Sequence, residues 1–202
     1  MGRLNIGVLG GTFDPVHVGH LILAEEACYQ LALGRVLWVL TPDPPHKTGK
    51  TILGWQERWQ MLQLAIAGNE AFELCDVDIK RAPPYYANDT LRVLKKRYPM
   101  DQLVYLVGSD SLRDLPGWHN PRELIDVCDG LGVMMRADAP IDAQRLDKSL
   151  PGIQKKLFFI SARPIEVSSS SIRYRIVNGL PYRYLLHPAV YDYIRDNQIY
   201  LS

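Results

Sequence analysis

"GVLGGTFDPVHVGH", residues Gly7 to His20, joins an apolar run to an amphipathic one. The turn between them holds adjacent glycines, an Asp-Pro pair and two histidines, His17 and His20. The run before the turn, "LNIGVL" (Leu4 to Leu9), is short and almost wholly apolar, as a strand covered on both faces requires. The run after it, "LILAEEACYQLAL" (Leu21 to Leu33), repeats apolar residues at helical spacing. Strand, turn and helix in that order are the first half of a βαβ unit.

The rest of the chain repeats this alternation. Further strands are predicted at "RVLWVL" (Arg35 to Leu40), "FELCDVDI" (Phe72 to Ile79), "QLVYLVG" (Gln102 to Gly108) and "GLGVMM" (Gly130 to Met135), with helices at "WQERWQMLQLAIA" and "NDTLRVLKKRY" between them. Buried strands alternating with helices imply a parallel sheet with right-handed crossovers. The fold expected is α/β, a Rossmann-like doubly wound parallel sheet with a small helical carboxyl-terminal part. That part reads as two helices, one beginning in the serine run and stopped by Gly179, the other beginning near Pro188. The expected division is one domain over 1–202, with a sheet core over 1–165 and the helical part over 166–202. The polar stretch from Arg136 to Gly152 reads as a surface excursion.

Composition agrees with one such domain. The chain has 202 residues, 47% hydrophobic and 22% charged, enough to bury a sizeable core. Its 23 basic and 22 acidic residues leave a formal charge of +1, which excludes a polyanion partner held by bulk electrostatics. Any phosphate must be recognised locally. Cys28, Cys75 and Cys128 are odd in number and sit in apolar surroundings, so buried free thiols and a reducing, cytoplasmic compartment are expected. No apolar run reaches the roughly 18 residues that span a bilayer, and no signal-peptide core is expected at the amino terminus.

In an open parallel sheet, ligands collect beyond the carboxyl ends of the strands, where the strand order reverses. The glycine turn follows the first strand, and a second polar cluster, "GSDSL" (Gly108 to Leu112), follows the fourth. The first and fourth strands are neighbours in a Rossmann-like order, so both motifs are expected to line one pocket. The glycine turn fits neither the G-x-G-x-x-G fingerprint nor the Gly-Lys-Ser/Thr phosphate loop. Metal ligation by His17 and His20 lacks companion ligands at suitable spacing. Gly10, Gly11 and Gly19 permit close backbone approach, and a helix amino terminus favours an anion. Two partly exposed histidines at a helix start are the plain alternative. Trp55 and Trp59 lie four apart at helical spacing and read as packing, as do Tyr182, Tyr184, Tyr191 and Tyr193.

"GGTFDPVHVGH" resembles the signature of the nucleotidyltransferase superfamily, whose (T/H)-x-G-H box corresponds to His17, Val18, Gly19 and His20. "VSSSSIR" (Val167 to Arg173) resembles its second signature, Ile-Ser-Ser-Thr-x-Ile-Arg, with Ser170 where Thr is usual. "PDPPHK" (Pro42 to Lys47), "GSDSLRDLPGW" (Gly108 to Trp118) and the overall layout are similar to the bacterial nicotinate mononucleotide adenylyltransferase family. "YYANDTL" (Tyr85 to Leu91) corresponds to that family's Ser-Tyr-Thr-x-Asp-Thr-Leu, with Ala87 in place of Thr. The segment after Trp118, "HNPRELI", departs from the common aromatic-rich version.

The resemblance implies adenylyl transfer from ATP to nicotinate mononucleotide, with magnesium carried on the ATP phosphates and no protein metal site. It implies catalytic roles for His17, His20, Lys47 and Arg173. It implies ATP contacts at Gly10, Gly11, Thr12, Phe13, Gly19, Gly108, Asp110, Ser169 and Ser170, shared with His17, His20 and Arg173. It implies mononucleotide contacts at Lys47, Tyr86, Ala87, Thr90, Trp118, His119 and Arg136. Helix capping alone by Asp110 and the serines, packing of Trp118 under its loop and a solvated Arg136 are the plain alternatives. The partners expected are small-molecule substrates, with a homo-oligomer open and no nucleic acid or membrane. A sibling transferase with another acceptor, such as nicotinamide mononucleotide or phosphopantetheine, and a catalytically silent nucleotide-binding protein are the alternative readings.

Overall fold

The computed structural model describes residues 5–44, 52–135, 141–162 and 166–201. Six strands, β1 (Asn5–Gly11), β2 (Arg35–Leu40), β3 (Phe72–Cys75), β4 (Gln102–Gly108), β5 (Gly130–Met134) and β6 (Leu157–Ile160), form one sheet in the order β3-β2-β1-β4-β5-β6. Every neighbouring pair is parallel. The strand order reverses between β1 and β4, as a doubly wound sheet requires.

Helices cover both faces. On one lie α1 (Val18–Gln30), α2 (Trp55–Ile66), α7 (Ser169–Val177) and α8 (Pro188–Asp196), sharing a core with the β2 side chains Val36, Trp38 and Leu40. On the other lie α3 (Ala87–Arg97), α4 (Ser109–Asp114), α5 (Pro121–Val127) and α6 (Ala143–Ser149), packed on Leu37, Val39, Tyr105 and Val133. α2 turns Met61, Leu62, Ala65 and Ile66 inward, and each large apolar side chain buried in this way contributes about 1.5–3 kcal/mol. Gly7 is required by packing, because a Cβ there would lie 2.8 Å from Leu33 Cδ1.

Helix starts follow local capping chemistry. Ser168 Oγ accepts from Ser171 N at 3.1 Å to begin α7, and Asp142 Oδ1 accepts from Arg145 N at 2.9 Å to begin α6. α5 and α8 open on Pro121 and Pro188, whose fixed φ and missing N–H suit the first helical position.

Several expectations change. β1 runs on through Gly10 and Gly11, which pair with Val39 and Leu40 of β2, so the glycines belong to the strand. The left-handed turn residue is Phe13, with φ 49°. β3 stops at Cys75 rather than Ile79. Among the described residues its far side has no neighbouring strand, and the chain turns so that Lys80 N donates to Asp76 O at 3.0 Å. The polar stretch before Gly152 is not all surface: it carries α6, whose Leu146 is buried with Leu150 against the second core. β6, with two phenylalanines half-exposed at the sheet edge, and the short α4 and α5 lacked a clear periodic signal. Tyr182 and Tyr191 pack at 5.2 Å between ring centroids, but Tyr184 is 89% exposed and takes no part in that packing. Cys75 and Cys128 are buried and Cys28 half-buried, all three as free thiols.

One buried cation ties the sheet edge to α2. Arg58, 1% exposed, donates to Leu53 O (2.8 Å), Thr12 O (2.7 Å), Thr41 O (3.0 Å) and Pro42 O (2.5 Å). Burial pulls its pKa below the usual arginine value, with Asp14 the main opposing charge. The chain leaving β1 and the chain leaving β2 are thereby held at one distance. Arg58→Met removes the guanidinium from those carbonyls, and denaturant unfolding is expected to show a loss of about 2–4 kcal/mol. A loss below about 0.5 kcal/mol would mean that the loops hold their places without the guanidinium.

Candidate active site

The carboxyl ends of β1, β2 and β4 open into a cleft of about 530 Å³, within the usual range for a small-molecule site. Its floor is Gly10, Gly11 and Thr12 with Val39 and Thr41. A Cβ on Gly10 would meet the Tyr105 hydroxyl at 3.1 Å, so the bare glycine backbone is the surface a ligand meets.

His20 stands at one end of the cleft, in the first turn of α1. Its Nδ1 accepts the backbone N–H of His17 at 3.2 Å, closing the amino end of the helix. With Nδ1 taken up as an acceptor, Nε2 is the ring nitrogen left to donate. The ring of His17, 7% exposed, stacks on that of His20 at 3.7 Å, and Phe13 meets His20 edge-on at 5.0 Å. His20 therefore has one orientation fixed by three contacts. Gly19 completes the packing, since a Cβ there would lie 2.9 Å from Val167 Cγ1 and 3.2 Å from the His17 ring.

Behind this turn sits the second signature. Arg173 donates to Asp14 O at 2.6 Å and lies 3.5 Å from Asp14 Oδ2, while Ser169 Oγ donates to Pro15 O at 2.9 Å. The Tyr200 hydroxyl donates to Asp14 Oδ1 at 2.8 Å, and burial beside that carboxylate pushes its pKa far above the tyrosine range. Phe13, His17, Gly19, Ser169, Ser170 and Arg173 are thus assembled around the loop and do not line the cleft itself. Gly108 and Asp110 also lie off the lining. A Cβ on Gly108 would come within 2.5 Å of Asp110 Oδ1, so the missing side chain lets that carboxylate fold over the start of α4.

The other end of the cleft is aromatic. Tyr85, Tyr86, Ala87, Trp118 and His119 line it together. The Tyr86 and His119 rings stack at 3.9 Å and 16°, and Trp118 meets Tyr105 edge-on at 6.4 Å. α3 begins here on Tyr86, which gives no side-chain cap, so the first amides of this helix have no side-chain acceptor at the Ncap position. The Thr90 hydroxyl is buried and lies 2.8 Å from Asp78 Oδ1. Lys47 and Arg136 lie outside the described residues.

Asp78 and Tyr105 line the cleft and were not singled out from the sequence. Each is a polar group inside an otherwise apolar run, and that was the available signal. Burial raises the Asp78 pKa, opposed by Arg81 and by the Thr90 hydroxyl. Burial likewise holds the Tyr105 phenol protonated well above its normal range. Among the described residues no three His, Cys, Asp or Glu side chains cluster as a metal site, and no helix is long and apolar enough to cross a membrane.

The Cytidylyltransferase-like family profile matches residues 8–175. A protein of Dehalococcoides mccartyi named probable nicotinate-nucleotide adenylyltransferase is 41% identical over 201 residues, covering 99% of this chain and 98% of its own. A Synechococcus protein of the same name is 41% identical over 197 residues, covering 98% and 95%. Among solved structures, nicotinic acid mononucleotide adenylyltransferase of Plasmodium falciparum complexed with NaAD superposes with a TM-score of 0.82 at 20% identity, covering 98% of each chain. That structure supports the fold, and the full-length relatives carry the family: the chain belongs to the nicotinate-nucleotide adenylyltransferases of the cytidylyltransferase-like superfamily.

Proposed function

We propose that this protein transfers the adenylyl group of ATP to nicotinate mononucleotide, giving nicotinate adenine dinucleotide and pyrophosphate as a step of NAD biosynthesis. The observation that carries the reading is a cleft with two chemically different ends, a glycine floor with a fixed imidazole at one and aromatic side chains beside a helix start that has no side-chain cap at the other. Phosphates suit the first end and a pyridine ring suits the second.

The chemistry needs little from the protein beyond placement. An oxygen of the mononucleotide phosphate attacks the α-phosphorus of ATP, one P–O bond forms, and the bond to the β-phosphate breaks with its electron pair leaving on pyrophosphate. A phosphate monoester is already ionised near neutral pH, its second pKa being about 6, so no general base is required. Positioning and stabilisation of charge remain, as in phosphoryl transfer generally. His20 is assigned the donor to the α- and β-phosphate oxygens, through Nε2–H. Magnesium arrives as part of the ATP substrate, bound by its phosphates.

The described lining contains Asp78 and Asp114 but neither lysine nor arginine. Positive potential is therefore assigned to the start of α1, to Lys47 and Arg136, and to Arg173 acting from behind the loop. Gly10, Gly11 and Thr12, with the Phe13 amide, are assigned to the triphosphate, which Gly19, Ser169 and Ser170 support by packing and capping. Gly108 and Asp110 are assigned to the ATP ribose. Tyr86, Ala87, Trp118 and His119 are assigned to the mononucleotide. The open amides of α3 favour its pyridine carboxylate over the neutral amide. Ala87 in place of Thr leaves these backbone amides unchanged. The carboxyl-terminal segment from Glu166 onward is read as part of the same domain, since Val167, Ile172 and Ile176 share the core of α1 and α2.

Pyrophosphate release from magnesium-ATP, with nicotinate mononucleotide, nicotinamide mononucleotide and phosphopantetheine supplied separately, tests the assignment. Release is expected with the first and at least about tenfold less efficiently with the second, a difference of about 1.4 kcal/mol. Release only with phosphopantetheine would replace the acceptor, and ATP binding without release would leave a silent binding protein. His20→Ala is expected to lower kcat about 10²–10³-fold with an unchanged circular dichroism spectrum. Near-normal turnover would remove the donor role. Trp118→Ala is expected to raise KM for the mononucleotide about tenfold while KM for ATP stays within about twofold, the reverse pattern assigning Trp118 to the nucleotide donor instead.

A further inference from the structure

We propose that Asp78, Arg81 and Thr90 form a positioning unit that sets the shape of the acceptor end of the cleft and, through it, the preference for the acidic mononucleotide. This rests on the acceptor reading given above. None of the three needs to touch the reacting atoms.

The geometry is a closed network around one buried carboxylate. Asp78 Oδ1 accepts from Arg81 Nε at 2.8 Å and from the Thr90 hydroxyl at 2.8 Å, with its side chain only 3% exposed. The same guanidinium reaches outward with its remaining nitrogens. Arg81 donates through one to Pro84 O at 2.6 Å and through the other to Tyr86 O at 3.4 Å and to Thr90 Oγ1 at 3.3 Å. It also covers the Tyr85 ring at 5.1 Å. Arginine is suited to this because a planar fork can satisfy several acceptors from one rigid group.

Each contact falls on the wall that faces the acceptor. Pro84 to Tyr86 carry the chain from the Asp78 turn into α3, and Tyr86 is both the residue before the helix and the partner of His119. The Tyr86 carbonyl also receives the Thr90 amide at 3.1 Å, the first turn of the helix. Moving Arg81 therefore moves the aromatic slot and the open amides of α3 together. Selectivity between a carboxylate and an amide depends on where such amides point, because a misdirected donor loses its advantage for the anion. The buried carboxylate serves as the anchor that gives the arginine its place.

The test separates positioning from stability. The variants are Arg81→Gln, Thr90→Val, Thr90→Ser and the double substitution Asp78→Asn with Arg81→Gln, which removes both charges of the pair and so avoids leaving the buried carboxylate unpaired. In pyrophosphate-release kinetics, Arg81→Gln, Thr90→Val and the double variant are expected to raise KM for nicotinate mononucleotide about tenfold or more, with KM for ATP within about twofold. The ratio of kcat/KM for the acid over the amide is expected to fall by about the same factor. Thr90→Ser keeps the hydroxyl and is expected to stay within about twofold of the parent protein on every constant.

Both KM values rising together, or an unchanged acid-to-amide ratio, would overturn the proposal. Amide hydrogen exchange on the ligand-free protein is the second measurement. Arg81→Gln is expected to speed exchange at Tyr85 to Asn88 while the β1 amides stay protected, and unchanged exchange there would overturn the proposal as well. If the parent protein releases no pyrophosphate with nicotinate mononucleotide, the acceptor reading fails by itself, and the exchange result still decides whether this network holds the wall.

Discussion

A parallel strand cannot be joined to its neighbour by a tight turn, so each connection leaves the carboxyl edge of the sheet and returns through a covering helix. Where the winding reverses, between β1 and β4, the two connections depart toward opposite faces and a cleft opens between them. Every feature of the site depends on that gap. The glycines at the end of β1 reach it because their strand is central, paired with β2 on one side and β4 on the other. The aromatic slot reaches it because α3, α4 and α5 all lie on the face to which β4 and β5 send their connections.

Much of this is legible in the sequence. The apolar runs and helical spacings identified five of the six strands and three long helices, because burial on both faces leaves a chemical mark on every residue of a strand. β6 escaped because an edge strand buries less and follows a polar stretch; α4 and α5, at six and seven residues, are too short to show a period. The glycines were legible as a site but not as a strand. Their pairing with β2 is a long-range fact, and the left-handed turn fell on Phe13, where side-chain type gives no warning. His20 was legible as a residue of the cleft. That its Nδ1 accepts from the His17 amide was not legible, because only the fold brings the two together. Thr90 shows another case: it lines the cleft, and the contact of its hydroxyl with the buried Asp78 carboxylate had no signal in the motif.

The electrostatics of the cleft follow a similar division of labour. An overall charge of +1 leaves no broad field to draw in a nucleotide, and the described lining contributes two carboxylates. Recognition then depends on short-range donors at fixed directions, which is why so many groups here are spent on holding other groups. His17 supports His20, Asp14 holds Arg173 and Tyr200, and Asp78 holds Arg81 and Thr90. Burial of the supporting members removes them from solvent competition and from salt screening.

Arg58 carries a different implication. All four of its partners are main-chain oxygens, contributed by Thr12, Thr41, Pro42 and Leu53. A tie made to carbonyls takes no account of which side chains those positions bear. Mutational drift along both loops can therefore proceed while their spacing is conserved, so the scaffold can trial new acceptor chemistry without first rebuilding its frame. Directed evolution toward a different mononucleotide should begin from libraries in these loops with Arg58 left intact.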